Sequence, residues 1–69
     1  MDIPTKIKMA EVYAKVNESE LAKRIGTSPQ ALNQRMKTGK FSTAELEKIA
    51  DALGAEFVYT FRFEDGTEI

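Results

Sequence analysis

A glycine at position 26 separates two short helical patterns, and this arrangement restricts the fold of the 69-residue chain more than any other feature. The first pattern spans about residues 18–25 and ends at the glycine, which tolerates the left-handed backbone of a helix C-cap. The second begins at Ser28-Pro29, an N-cap residue followed by a proline suited to the first helical position. Two such helices meet at a wide angle when their apolar positions touch across a short turn. The predicted inward positions are Leu21, Ala22, Ile25, Leu32 and Met36, with Ala31 beside them.

Two further helices flank this pair. After a lead-in over residues 1–4, apolar spacing predicts a helix from about Thr5 to Val16. The capping-box pattern of Asn17 with Glu20 separates it from the next helix, and Ser42 with Glu45 opens a last helix that runs to about Leu53. The predicted inward residues are Met9, Val12, Tyr13 and Val16 in the first helix and Leu46, Ile49, Ala50 and Leu53 in the last.

The C-terminal segment changes period. Between positions 57 and 63 aromatic residues alternate with other side chains, which predicts a β-strand. A lone strand leaves backbone groups unpaired, so we expect it to pair with the same strand of a second copy. The alternative is that the strand folds onto its own helices and pairs with residues 67–69 through the Asp65-Gly66 turn. The residues assigned to dimerisation are Phe57, Tyr59, Phe61 and Phe63.

The charge distribution is strongly polarised. No acidic residue occurs between Glu20 and Glu45, whereas the rest of the chain holds five of the ten cations and all eleven acids, a net charge of about −6. Because salt screens charges beyond about 10 Å, the local block matters more to a phosphate than the total of −1. The alternative is an ordinary solvated face. The five cations of the block are Lys23, Arg24, Arg35, Lys37 and Lys40.

Composition argues against catalysis. The chain contains neither histidine nor cysteine, which removes the usual neutral-pH base, the strongest nucleophile and the main zinc ligands. We therefore expect no enzyme activity, no catalytic residue, no metal and no cofactor. The absence of cysteine suits a cytoplasmic location, and no apolar run approaches the length of a membrane span.

The spacing of these motifs resembles that of the Xre-type, lambda-repressor-like helix-turn-helix regulators of bacteria and phages. The matching positions lie between about Val12 and Gly54, with the motif itself at about residues 18–37. The resemblance implies a mainly α, compact four-helix domain over residues 1–54, followed by a dimerisation strand over residues 55–69. The residues that carry it are Glu20-Leu21-Ala22, Gly26, Ser28, Leu32, Gly39-Lys40 and the run Leu46, Ile49, Ala50, Leu53 and Gly54.

The resemblance also implies a mode of DNA binding, in which the helix that starts at Ser28 enters the major groove. Amide side chains can bond adenine edges, and Pro29 can touch a thymine methyl group or serve only as the first helical residue. The predicted base contacts are Pro29, Gln30, Asn33 and Gln34, and the predicted phosphate contacts are Lys23, Ser28, Arg35, Lys37 and Lys40. For two further residues the alternatives stay open. Arg24 either binds phosphate or pairs with Glu20. Glu18 opposes a phosphate, complements the helix dipole or orients a neighbouring base-reading side chain.

The predicted function is a sequence-specific regulator that binds double-stranded DNA, a homodimeric repressor of a palindromic operator. No small-molecule effector is expected in so short a chain. The competing prediction is a protein-interaction module or antitoxin, in which the aromatic strand binds a partner and DNA binding is secondary.

Overall fold

The chain folds into four helices in the predicted order. The computed structural model describes residues 2–69, so the part of the lead-in that falls on Met1 lies outside the described residues. The mainly helical architecture is confirmed. No helix among the described residues is long and apolar enough to cross a membrane. The helices are α1 (Ile3–Ala14), α2 (Glu18–Arg24), α3 (Pro29–Thr38) and α4 (Thr43–Ala52).

Polar caps begin the helices at the predicted positions. The Asn17 side chain accepts the backbone N–H of Glu20 at 2.8 Å, although the reciprocal bond that would complete a capping box does not form there. At α4 the box is complete, because Ser42 Oγ accepts the N–H of Glu45 at 3.1 Å and Glu45 Oε1 accepts the N–H of Ser42 at 2.9 Å. Each cap satisfies a donor that the first helical turn leaves free.

The turn between α2 and α3 is built by Gly26. Its φ of +79° is the left-handed conformation that glycine adopts without a steric penalty. The N–H of Gly26 donates to the carbonyl of Lys23 at 3.2 Å, and the N–H of Thr27 donates to that of Ala22 at 2.9 Å. These two bonds form a Schellman motif, which ends α2 and redirects the chain into α3 within four residues.

The core is centred on α2, which packs against each of the other three helices. Leu21 is fully buried and Leu32 is nearly so, and together they join the two motif helices. The predicted inward positions of α2, α3 and α4 are largely confirmed, except that Ala31 is exposed. The buried apolar residues are Ile7, Val16, Leu21, Ala22, Leu32, Met36, Ile49 and Ala50.

The predicted inward face of α1 is wrong for three of its four residues. Met9, Val12 and Tyr13 are exposed, and only Val16, just beyond the helix, is buried. The helix instead turns the face of Ile3, Ile7, Ala10 and Ala14 towards the core. Both sets have helical spacing, so periodicity alone does not choose between them.

Choosing this face of α1 also buries a carboxyl group. Glu11 is only 7% exposed, and its Oε2 has no hydrogen-bond partner within residues 2–69. Burial raises the pKa of Glu11 above its ordinary value, nearby Glu18 raises it further, and Lys8 opposes the rise. A charge held in an apolar setting without a partner destabilises the folded state.

We expect the Glu11→Gln variant to be more stable than the unmodified chain at pH 7, by about 1 kcal/mol. A carboxyl whose pKa is raised on folding stabilises the folded state most below its unfolded value near 4.5, and loses that contribution as the pH rises. The gain should therefore shrink as the pH is lowered towards 4. Urea denaturation at pH 4 and 7 measures it. At low protein concentration, where self-association does not contribute, the exposed substitution Glu64→Gln is the control, and an equal gain at both pH values would contradict the assignment.

The C-terminal segment differs from the predicted strand. No strand forms over residues 57–63; instead a single antiparallel bridge joins Arg62 to Glu68. The N–H of Phe61 donates to the carbonyl of Ile69 at 2.5 Å, and the reverse bond measures 2.6 Å. The Asp65-Gly66 turn brings residues 61–63 back onto residues 67–69, so local pairing replaces an extended strand. The sequence left open whether the strand pairs with a second copy or folds back within its own chain. The structure shows the second arrangement, as a hairpin with a single bridge.

The first half of the tail lies along its own helices. The hydroxyl of Tyr59 donates to Glu47 Oε1 on α4 at 3.2 Å, and the ring of Phe57 stands 5.6 Å from that of Tyr59. Phe57 is half-buried, whereas Phe61 and Phe63 are exposed. The four aromatic residues therefore divide between an intramolecular contact and an open surface.

Candidate nucleic-acid interface

One side of α3 carries a row of polar side chains. Gln30, Asn33, Gln34 and Lys37 recur at three- and four-residue spacing and are all exposed; we call this row the amide face. The side chains of its three amides make no hydrogen bond to the rest of residues 2–69. Leu32 and Met36 occupy the opposite side and are buried. The packing of α3 therefore turns its amides outward as a group, as their predicted role requires.

The start of α3 presents two further predicted contact residues. Pro29 is exposed at the first helical position. The Ser28 hydroxyl oxygen accepts the N–H of Ala31 at 3.1 Å. Because a hydroxyl both accepts and donates, its proton remains available to an oxygen outside the chain. Capping the helix and contacting a phosphate are thus compatible for Ser28.

Three lysines of the acid-free block stay available to a ligand. Lys23 lies on α2, Lys37 on α3 and Lys40 in the loop that follows, and all three are exposed. None of them forms an ion pair within the part of the chain that the structure describes. The structure thus leaves uncompensated positive charge on α2, on α3 and just after α3.

Arg35 is held by internal contacts. Its Nε and Nη2 atoms donate to the carbonyl of Lys40 at 3.1 and 2.9 Å, and its guanidinium also forms an ion pair with Glu45. The guanidinium carbon lies 5.5 Å from the centre of the Phe41 ring, within the range of a cation–π contact. We call this cluster the Arg35 clamp. It closes the loop between α3 and α4 and fixes the backbone that carries Lys40.

The Arg35 clamp lowers the pKa of the Glu45 carboxyl group. The backbone N–H of Ser42 and the guanidinium of Arg35 lower the pKa of Glu45 from 4.5 to about 2. The sequence pattern placed Glu45 only in a helix cap and Arg35 only at a phosphate. One feature of the sequence could have indicated the ion pair between Arg35 and Glu45. Glu45 is the first acidic residue after the cationic block, and it lies ten residues beyond Arg35.

Arg24 also makes contacts within the fold. Its Nε lies 3.4 Å from Glu20 Oε1, which confirms the pairing considered from their four-residue spacing. Its Nη1 donates to the carbonyl of Ala52 at 2.9 Å, so the side chain connects α2 to the C-terminal end of α4. A cation there is favourable because the last carbonyls of a helix carry partial negative charge. Of the five cations, two therefore support the scaffold and three face outward.

Comparison of the chain with protein-family models, with curated proteins and with solved structures finds no match. The likeness to helix-turn-helix regulators therefore rests on the motif residues alone.

Proposed function

We propose that the protein binds double-stranded DNA in a sequence-specific manner and acts as a homodimeric transcriptional repressor. The observation that carries the proposal is the amide face of α3, which is exposed and whose amides have no hydrogen-bond partner among residues 2–69. Exposed lysines that form no ion pair within the same residues lie before, within and after the helix. Such a combination supplies the two kinds of contact that DNA recognition needs, to base edges and to phosphates.

In the proposed complex α3 enters the major groove with its N-terminal end towards the bases. Gln30, Asn33 and Gln34 would contact base edges, because a side-chain amide matches the N6 and N7 positions of adenine with two hydrogen bonds. Pro29 lies at the same end and would contact the groove wall or a thymine methyl group. An amide-rich surface therefore favours sites that contain A·T pairs.

The phosphate contacts are proposed for Lys23, Lys37, Lys40 and the hydroxyl of Ser28. The internal contacts of Arg35 favour a positioning role for it over the predicted phosphate contact. Since its side chain binds the backbone carbonyl of Lys40, it would orient the loop whose lysine approaches the DNA.

We expect Gln30→Ala and Lys37→Ala to weaken binding in different ways. Without the amide of Gln30, the binding free energy should become less favourable by about 1–3 kcal/mol on a duplex obtained by site selection, and should change little on random duplex. Losing the lysine should weaken binding to both duplexes by a similar factor and lower the salt dependence by about one ion. Fluorescence anisotropy titrations at several salt concentrations measure both effects.

Lys48→Ala is the matched control, since Lys48 is an exposed lysine of α4 outside the amide face. It should leave both affinities within about twofold, as expected of a cation that contacts neither a base nor a phosphate in the proposed complex. Equal losses on specific and random duplex for both test variants would refute the assignment of the amide face to base reading.

A dimer would complete the site. Two α3 helices one turn of DNA apart read the two halves of a palindrome, so a second copy doubles the contacts without a larger fold. The exposed aromatic residues of the tail supply apolar surface for this association.

The second candidate function is protein interaction, as in an antitoxin, with DNA binding secondary. The observation that favours it is the exposure of Phe61 and Phe63 on a tail that its own helices do not cover. Binding to random duplex at low salt discriminates between the two functions. Absence of any such binding would favour the interaction module.

A further inference from the structure

An apolar stripe runs along the outer side of α1. Met9, Val12 and Tyr13 are 54%, 79% and 91% exposed, and we call them the α1 stripe. Lys6 and Lys8 lie on either side of it, at three- and four-residue spacing from Met9 and Val12. The only acidic residue of α1, Glu11, is buried on the opposite side. The surface is therefore apolar with a purely cationic border.

The α1 stripe continues into a groove between α1, α4 and the first residues of the tail. The groove has a volume of about 500 Å³, and Met9 contributes to both surfaces. An opening of this size is in the range that accepts bulky apolar groups. Its apolar lining includes Ile3, Ile7, Leu46, Leu53 and Phe57.

The end of the tail has the complementary chemistry. Phe61 and Phe63 are 75% and 54% exposed, and Ile69 is exposed beside them. Glu56 lines the groove itself, whereas across residues 57–69 three acids oppose a single cation, Arg62, which gives a net side-chain charge of −2. This surface is thus apolar with a mainly anionic border, the reverse of the α1 stripe.

We propose that the tail of one copy docks on the α1 stripe and groove of a second copy, and that the contact is reciprocal. The inference deepens the dimer of the proposed function and rests on it: it places helix against tail at the interface, where pairing of two tail strands was expected. Opposite charges at the borders align the two copies, while the aromatic residues supply the buried surface.

The molecule that docks on the α1 stripe is a second copy of the chain. One chain carries both complementary surfaces, the α1 stripe and the end of the tail, and leaves both of them uncovered. The bond between Tyr59 and Glu47 holds the tail along its own α4, and beyond it Phe61 and Phe63 remain exposed. Two-fold symmetry would cover both surfaces of both copies at once.

The area is sufficient for a specific dimer. A buried aromatic residue contributes roughly 150–250 Å², so the exposed parts of Tyr13, Tyr59, Phe61 and Phe63 amount to on the order of 500 Å² per copy. The exposed aliphatic residues beside them bring the total towards the roughly 800 Å² per partner of a standard interface. Those residues are Met9, Val12, Val58 and Ile69.

Charge reversal on the two surfaces tests the proposal. In Lys6→Glu and in Glu64→Lys, each homodimer would bring like charges together at both contacts, whereas a mixture of the two variants restores opposite charges. We expect the dissociation constant of each variant alone to rise about tenfold at low salt, and the mixture to regain most of the affinity. Sedimentation velocity on each variant and on the equimolar mixture measures this. Lys48→Glu, a reversal on α4 away from the α1 stripe, is the matched control and should change little.

Tyr13→Ser tests the apolar part, because Tyr13 is almost fully exposed and its loss leaves the core intact. We expect it to weaken the dimer by a factor of about ten or more, with unchanged circular dichroism. A dimer that resists both Tyr13→Ser and the charge reversals would overturn the helix–tail contact but would not contradict the proposed function.

A protein that stays monomeric at high concentration would also overturn the helix–tail contact. The same holds for an α1 stripe that binds anionic vesicles in place of a second copy. DNA titrations are read separately, so loss of DNA binding with an intact helix–tail dimer would refute only the proposed function.

Discussion

Replacing Lys23, Lys37 and Lys40 together by alanine should weaken binding to random duplex DNA by on the order of 100-fold at about 0.1 M salt. Each lysine that neutralises a phosphate releases condensed counterions, and the dependence of log affinity on log salt concentration falls by about 0.9 for every phosphate that is no longer neutralised. The slope should therefore decrease by close to three. This effect is expected to be the largest on binding because these three cations are exposed and without ion pairs inside residues 2–69.

The measurement is a series of anisotropy titrations between about 50 and 200 mM salt. Circular dichroism and urea denaturation establish that the triple variant stays folded, as expected for exposed side chains. Lys48→Ala serves as the control and should leave the slope unchanged. A triple variant with the slope of the unmodified protein would show that the DNA lies on another surface.

The largest effect on stability is expected from Leu21→Ala, a loss of about 3–5 kcal/mol. Leu21 is fully buried on α2, the helix that contacts the other three, so truncation leaves a cavity that no single neighbour can fill. A domain of this length has a total stability of roughly 3–10 kcal/mol. The variant should therefore be marginally folded or unfolded at room temperature in urea denaturation experiments.

Val12→Ala is the informative control, because sequence periodicity alone assigns Val12 to the core as well. Its exposure of 79% predicts a change within about 0.5 kcal/mol. The comparison should be made at low protein concentration, so that self-association does not contribute. A loss at Val12 as large as that at Leu21 would mean that the face of α1 predicted from the sequence is the buried one.

Local signals in the sequence predicted the helix pair well. Asn17, Gly26 and Ser28 act within three or four residues of themselves, through caps and a left-handed turn, so their effect does not depend on the rest of the fold. The buried positions of α2 and α3 followed from the same helix boundaries. The exposure of the three amides of α3 was predictable for the same reason, since it is the consequence of burying Leu32 and Met36.

Features that depend on distant partners could not be predicted in this way. The sequence of α1 offers two apolar faces, and only packing against the other helices selects the one with Ile7, even though this choice also buries Glu11. The period of two in the tail was a real pattern, but a turn at Asp65-Gly66 allows local pairing that shortens it. The errors about the buried face of α1 and about the tail strand have the same origin. In each case the local sequence fits two structures equally well, and contacts with other parts of the chain select one of them.

The contacts of Arg35 belong to the same class. In the sequence, a cation on a helix next to exposed lysines is typical of a residue that contacts phosphate. In the folded chain, Glu45 and the carbonyl of Lys40 lie against Arg35 and accept its hydrogen bonds. The sequence therefore located Arg35 near the exposed lysines but did not reveal the contacts that hold its side chain.

The Arg35 clamp has a consequence for how the surface would respond to acid. With its pKa lowered to about 2, Glu45 stays ionised at any pH a living cell experiences, and its contribution to the fold is lost only as the pH falls from about 4.5 towards 2. The loop that carries Lys40 therefore keeps its shape under mild acidification. This part of the molecule is therefore insensitive to a drop in pH that stays above about 4.5.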